Sequence, residues 1–157
     1  MGIHYYAYPL PAEFVERART DPRLFLSADP LADAWRPAED RPTMLYLDKC
    51  WHYLQALTRP DHGAAPRPAY RLFEGEVSYV EDGAYRPWVR VLDAEEVAEI
   101  ARDLALLDED DVRTWTAATS LSRGREDFDY IKHYLAAAKD FITRLVPAGW
   151  GLLYLIG

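Results

Sequence analysis

A short stretch of the chain concentrates side chains that can do chemistry. It reads Asp48-Lys49-Cys50-Trp51-His52. A thiol close to an imidazole suggests a nucleophile with its general base. On one helix, however, Cys50 and His52 point about 200° apart, because each residue turns the helix by about 100°. We therefore expect Cys50 to be buried as a small apolar side chain rather than to react.

Asp48 and His52 are four residues apart, so they share one face of the helix that Asp48 is predicted to cap. In a functional interpretation, Asp48 orients the imidazole in a cleft and Trp51 supplies a stacking surface at its edge. In the structural interpretation, which we favour, Asp48 only caps the helix and His52 is exposed to solvent or bonded to a nearby group. The residues of the candidate pocket are Asp48, Lys49, Trp51, His52, Tyr85 and Trp88.

No metal site and no cofactor site is expected. The histidines stand at positions 4, 52, 62 and 133, without the HxH or HxxxH spacing of metal ligands. Asp129 and His133 repeat the Asp–His spacing on a later helix, so a metal shared by the two pairs is conceivable but not expected. The acidic run 108–111 could bind a divalent cation or a basic partner, but favourable charge at a helix start explains it well enough. The sequence contains no GxxxxGK[ST], GxGxxG, GxSxG or HExxH motif. Common nucleotide-dependent and hydrolytic activities therefore lose support.

Composition and charge restrict the partners and the compartment. The 157 residues carry 26 acidic and 18 basic side chains, a formal charge of −8, which disfavours nucleic acids and anionic membranes. The longest apolar stretch, 150–156, is far shorter than the about 20 residues of a membrane-spanning helix. The N-terminus lacks a signal-peptide pattern, and the single cysteine fits a reducing compartment. We expect a cytoplasmic protein, and the sequence leaves its oligomeric state open.

The elements that must position these residues follow one another irregularly. Strands are predicted at 2–8, 70–73, 85–92 and 150–156. Helices are predicted at 11–21, 49–58, 94–107, 108–115 and 126–145, with helical turns over 23–42 and loops over 61–68 and 116–124. Asp93 and Glu96 resemble a capping box at the start of one of these helices. The order predicts a single α+β domain over 1–157, with a small mixed sheet packed against several helices.

Several landmarks stand in a fixed order along the chain. They are Met1-Gly2-Ile3 before a strand, Leu47-Asp48-Lys49-Cys50-Trp51-His52-Tyr53-Leu54, Tyr85-Arg86-Pro87, Leu92-Asp93-Ala94-Glu95-Glu96-Val97, Tyr130 to Phe141, and Leu152-Leu153-Tyr154-Leu155. In these landmarks the chain resembles the YfbM-like proteins, a family of small bacterial proteins of unknown function. The resemblance implies a single α+β domain and brings no activity, cofactor or catalytic residue with it. Arg86 stands where the family often has glycine, and the proline-rich segment 29–42 is peculiar to this chain.

Two functional hypotheses follow. The first is a non-catalytic binding or regulatory module of a bacterial cell that engages another protein, for instance as an antagonist or an immunity-type protein. The lack of catalytic motifs supports it, together with an acidic surface that would suit a basic partner. The second is a small-molecule binder or enzyme with a cleft lined by Asp48, Trp51 and His52. A concave pocket at these residues would favour the second hypothesis, and a flat charged face would favour the first.

Overall fold

Strands and helices alternate irregularly in the structure, a computed structural model that describes residues 2–60, 63–119 and 125–157. The strands are β1 (Tyr5–Leu10), β2 (Leu45–Asp48), β3 (Ser78–Tyr79), β4 (Tyr85–Arg86), β5 (Trp88–Leu92) and β6 (Gly151–Ile156). The α-helices are α1 (Val15–Thr20), α2 (Pro30–Ala34), α3 (Trp51–Thr58), α4 (Tyr70–Phe73), α5 (Ala94–Leu104), α6 (Glu109–Ala118) and α7 (Arg125–Ala148). Short 3-10 turns lie at Ala12–Phe14, Pro22–Phe25 and Glu81–Gly83.

The main sheet has the strand order β2-β1-β6-β5. Each neighbouring pair in it is antiparallel. The predicted α+β class is confirmed, and within the described residues the sheet is antiparallel rather than mixed. Neighbouring strands run in opposite directions, so that each strand begins beside the last residues of its neighbour. Because β2 and β5 stand first and last in the strand order, they form the two edges of the sheet.

The two faces of the sheet are covered by different helices. One face packs against a single large core to which α3, α4, α5, α6 and α7 all contribute. In that core Tyr5 and Tyr154 from the sheet and Ile131 from α7 have no exposed surface. Because side chains alternate along a strand, Leu10 belongs to a second, smaller cluster, which it forms with Val15 and Ala18 of α1.

The helices that were predicted well have strong local signals in the sequence. At the start of α5, the backbone N–H of Glu96 donates to Asp93 Oδ1 over 2.9 Å, and the N–H of Asp93 donates to Glu96 Oε2 over 3.0 Å. This capping box confirms the prediction. Helix α7 continues to Ala148, three residues beyond its predicted end. Pro147 is tolerated there because a proline in the last turn removes only one helical hydrogen bond.

The segment Tyr70–Phe73 was predicted as a strand and is helix α4 instead. The backbone N–H groups of Tyr70 and Arg71 donate to carbonyls three residues earlier. Leu72 and Phe73 are both fully buried. Two adjacent buried side chains conflict with the alternation of a strand that has one solvated face, and a single helical turn satisfies them.

Two other predictions are corrected. The helix expected from Lys49 begins at Trp51. Asp48 does not cap that helix, because it is the last residue of β2. The strand expected over 85–92 is interrupted at Pro87, so that β4 pairs with β3 in a separate hairpin. Parts of two predicted loops, residues 61–62 and 120–124, lie outside the described residues.

Candidate functional site

Asp48 turns the chain sharply at the end of β2. Its φ of 50° is uncommon for a residue other than glycine, although aspartate tolerates it better than most. The hydroxyl of Tyr130 donates to Asp48 Oδ2 over 2.8 Å, and the hydroxyl of Tyr46 donates to Oδ1 over 3.3 Å. His4 Nδ1 lies 2.7 Å from the Tyr46 hydroxyl and 3.4 Å from Asp48 Oδ1. We call His4, Tyr46, Asp48 and Tyr130 the Asp48 cluster.

The Asp48 cluster joins three parts of the fold that are distant in sequence. His4 precedes β1, Tyr46 and Asp48 belong to the edge strand β2, and Tyr130 belongs to α7. The rings of His4 and Tyr46 are stacked with their centroids 5.8 Å apart, and the ring of Tyr6 is stacked 5.6 Å from Tyr46. The cluster therefore fixes β2 and the N-terminal half of α7 relative to each other.

The pKa shifts in the Asp48 cluster favour a structural role. Burial raises the pKa of Tyr130 and of Tyr46, and the Asp48 carboxylate adds to both shifts. Burial lowers the pKa of His4, although the charge of Asp48 acts in the opposite direction. The network is complete when neutral His4 carries its proton on Nδ1 and donates to Tyr46, whose hydroxyl donates to Asp48. Such a network orients side chains without generating a deprotonated nucleophile.

The predicted pair of Asp48 and His52 is not formed. The His52 ring is exposed, and its Nδ1 contacts the backbone carbonyl of Lys49. Trp51 is half-buried and donates its indole N–H to the carbonyl of Ile3 over 3.1 Å. Asp48 ends a strand and therefore lies outside the helix on which the four-residue spacing would have brought the two side chains together. The histidine beside Asp48 is His4.

Cys50 is fully buried immediately before α3, as the sequence predicted. Its sulfur lies 4.0 Å from the carbonyl oxygen of Tyr130. Burial raises the pKa of the thiol well above its usual range, and the nearby charges of Asp48 and Asp127 act in the same direction. A buried, protonated thiol is a poor nucleophile. Cys50 is therefore a core residue.

Two of the remaining predicted pocket residues, Tyr85 and Trp88, lie away from Asp48. In the sheet, Trp88 pairs with Ile156, Ile156 with Tyr5, and Tyr5 with Asp48. Three strand spacings of about 4.8 Å thus place Trp88 roughly 14 Å from Asp48, at the opposite edge. Tyr85 is exposed on the hairpin of β3 and β4. The structure does not bring the six predicted pocket residues into one cleft.

A cleft of about 730 Å³ lies instead between the segment 34–46 and one side of α7. From α7 it is lined by residues three or four positions apart between His133 and Leu145, which share a face of the helix. Tyr46 lines the cleft and also belongs to the Asp48 cluster. The volume falls within the range of about 300–1,000 Å³ that is usual for ligand pockets. We call this cavity the β2–α7 cleft.

Local interactions hold the outer wall of the β2–α7 cleft. Asp29 caps α2 by accepting a hydrogen bond from the backbone N–H of Ala32 over 3.0 Å. After α2, Arg36 forms an ion pair with Asp33 at 3.1 Å. Trp35, which follows α2 in the sequence, lines the cleft with 70% of its surface exposed. An aromatic ring so accessible at the rim of a cavity offers a surface for stacking or apolar contact.

Among the charged residues of the cleft, one cation has no carboxylate partner in the described part of the chain. Asp140 and Arg144 form an ion pair at 2.8 Å on α7. Arg41 donates a hydrogen bond to the carbonyl of Arg36 over 3.1 Å, and no described carboxylate lies within ion-pair distance of it. The cleft therefore contributes a local positive charge to a chain whose formal charge is −8.

Sequence reasoning missed His4, Tyr46 and Tyr130, and it missed the β2–α7 cleft. One local signal was available for β2, because the order Leu45, Tyr46, Leu47, Asp48 alternates apolar and polar residues as an edge strand does. No comparable signal connects position 4 or position 130 to this strand. Their contacts arise only when β1 and α7 pack on either side of it.

In the described part of the chain, the potential metal ligands do not form a cluster. There, no three His, Cys, Asp or Glu side chains converge as a metal site would require. Because His62 lies outside that part, the expectation of no metal site stays a prediction. None of the described helices is both long enough and apolar enough to cross a bilayer.

The antiparallel sheet, its covering helices and the adjacent cleft define an α+β domain. The chain belongs to the family described as Domain of unknown function (DUF1877), whose model matches residues 1–154. Its structure is similar to the crystal structure of YfbM, a protein of unknown function from Escherichia coli, with a TM-score of 0.59 and 18% identity over 99% of this chain and 100% of that one. The predicted resemblance to the YfbM-like proteins is confirmed, and at this identity the structural likeness shows the fold alone. No curated protein matches the chain.

Proposed function

We propose that this chain is a non-catalytic binding module whose ligand occupies the β2–α7 cleft. The observation that carries the proposal is a preformed cavity of about 730 Å³ with aromatic, aliphatic and charged walls. Burial of Cys50 and the hydrogen bonds of the Asp48 cluster support binding over catalysis, because neither supplies an activated nucleophile. Hydrogen bonds to His4 and Asp48 also hold the side chain of Tyr46 at one wall of the cleft, which reduces the entropy cost of ordering it on binding.

Adjacent alanines on α7 provide a matched test of this proposal. Ala137 is half-buried and lines the cleft, whereas Ala136 is exposed and lies outside its lining. The Ala137→Trp substitution places an indole in the cavity, and Ala136→Trp adds the same side chain on the solvent side. Wild-type protein labelled with nitrogen-15 is screened by two-dimensional NMR against a mixed library of short peptides and small aromatic acids. We expect ligands that shift the amide signals of Tyr46 and Tyr134.

The two variants then decide whether those ligands occupy the cleft. Binding should weaken by at least about tenfold in Ala137→Trp and stay unchanged in Ala136→Trp, because only the first indole competes for the cavity. Far-ultraviolet circular dichroism and thermal unfolding check that both variants fold. If Ala137→Trp does not fold, the exposed rim residue Trp35 is replaced by alanine and the same loss is expected. Ligands that bind both variants equally, or that shift only the signals around His52, contradict the proposal.

A further inference from the structure

We infer that the ligand of the β2–α7 cleft is an extended peptide that adds to the sheet as a new strand beside β2. The inference rests on the proposed function, since it names the class of molecule that fills the same cleft. Strand β2 is an edge of the main sheet and pairs only with β1 among the described strands. An edge strand presents a row of backbone N–H and C=O groups that a further chain can pair with.

The backbone along this edge has hydrogen-bonding groups to offer. In an antiparallel ladder, alternate residues direct their N–H and C=O groups to opposite sides, so about half of those in Leu45–Asp48 point away from β1. Apart from the pairing with β1, no backbone group from Thr43 to Tyr46 bonds to a described residue. These residues also line the cleft. The residues that carry these free groups are therefore also residues of the cavity wall.

The shape of the cleft suits an extended chain better than a compact molecule. Its helical wall runs from His133 to Leu145 on α7, a length of about 18 Å at 1.5 Å per residue. Its opposite wall includes the contiguous residues 42–46. Four residues of a strand cover about 13 Å. A groove between an edge strand and a helix is a recurrent site for peptides that bind by strand addition.

The positive charge in the cleft favours a peptide with acidic side chains. Arg41 lines the cleft without a carboxylate partner in the described part of the chain, and Arg144 adds a cation that Asp140 pairs. Side chains of an added strand alternate between its two faces, so one face can meet the aliphatic and aromatic wall while the other carries the acidic groups. The structure thus points to an extended peptide with alternating acidic and apolar residues.

The test uses three fluorescein-labelled hexapeptides whose binding is measured by fluorescence anisotropy. The first alternates glutamate and valine, the second replaces every glutamate with lysine, and the third is the glutamate peptide with alternate amide nitrogens methylated. Methylation removes donors needed for strand pairing and keeps the side chains. We expect the glutamate peptide to bind at least about tenfold more tightly than each of the other two.

Two protein variants test whether the charge of Arg41 contributes to binding of the glutamate peptide. Arg41→Glu should weaken binding of the glutamate peptide by about fivefold or more, because it places like charges together. Arg102→Glu changes the net charge equally at an exposed site on α5, outside the cleft, and should leave the affinity within about twofold. Equal effects of the two variants would show long-range attraction only and would overturn the inference.

Other outcomes separate this inference from the proposed function. If the methylated peptide binds as tightly as its parent, or if no peptide binds while small aromatic acids still occupy the cleft, strand addition is wrong and the binding cleft stands. If the chain sediments as a dimer that Ala137→Trp converts to a monomer, a second copy fills the groove and the peptide inference is overturned. If nothing that binds the protein is sensitive to Ala137→Trp, the proposed function itself fails.

Discussion

The hydroxyl of Tyr130 offers a single-atom test of the Asp48 cluster. Tyr130→Phe removes the donor that lies 2.8 Å from Asp48 Oδ2 and changes little else in the packing of α7. A hydrogen bond to a charged acceptor contributes about 1.5–3 kcal/mol. Because 31% of the Asp48 side chain is exposed, water can replace the lost donor, and the lower end of that range applies. We expect the free energy of unfolding to fall by about 1.5 kcal/mol.

Urea unfolding followed by tryptophan fluorescence measures this loss. With a slope of about 2 kcal/mol/M, the midpoint should fall by about 0.75 M while the slope itself stays unchanged. The matched control is Tyr134→Phe, four residues further along the same helix. The Tyr134 hydroxyl makes no hydrogen bond with another described residue, so its removal should leave the midpoint within about 0.2 M.

Comparison of the two variants decides the role of the cluster. If Tyr130→Phe and Tyr134→Phe have the same midpoint as the wild type, the Asp48 carboxylate is satisfied without Tyr130 and the cluster does not hold α7 against β2. If both variants lose stability equally, the loss reflects hydroxyl solvation on this helix and not the bond to Asp48.

Two further predictions concern residues outside the cleft. Burial and a raised pKa should protect the thiol of Cys50 from reaction. A thiol reagent at pH 8 should therefore label the native protein only as fast as the protein opens, and should label it at once in denaturant. Rapid labelling of the native protein would contradict this prediction. Hydrogen bonds from Arg67 hold the pKa of Asp103 below its usual range. The stability contributed by Asp103 is therefore complete above about pH 4 and is lost as the pH falls through the lowered folded-state pKa. Asp103→Asn should cost about 2 kcal/mol at pH 7, with a smaller difference from wild type near pH 2 in urea unfolding, whereas a constant difference would refute the pKa assignment.

The sequence predicted those parts of the fold that depend on neighbouring residues. Helix α5 could be placed because Asp93 and Glu96 close a capping box within one turn, and its apolar residues recur at helical spacing. The segment 70–73 was misassigned because four residues are too few for alternation to be told from a helical turn, and burial of Leu72 and Phe73 decided the outcome.

The site could not be predicted in the same way because it joins distant segments. The predicted helix over 49–58, with Asp48 as its cap, put Asp48 and His52 on one face. In the structure Asp48 ends β2 with a positive φ, and its carboxylate contacts His4 and Tyr130. The inward position of Cys50 was predicted because burial of a lone cysteine depends on local apolar neighbours. The β2–α7 cleft exists only when the segment 34–46 lies beside α7, and no periodicity within either segment encodes that contact.

Amide hydrogen exchange with and without the glutamate–valine peptide tests the central claim most directly. Strand addition would hydrogen-bond the free side of β2, so the amides that exchange quickly between Thr43 and Tyr46 should be protected when the peptide is bound. Amides in the separate β3–β4 hairpin should exchange at an unchanged rate. Peptide binding that leaves exchange between Thr43 and Tyr46 unaltered, with protection confined to another surface, would contradict the account.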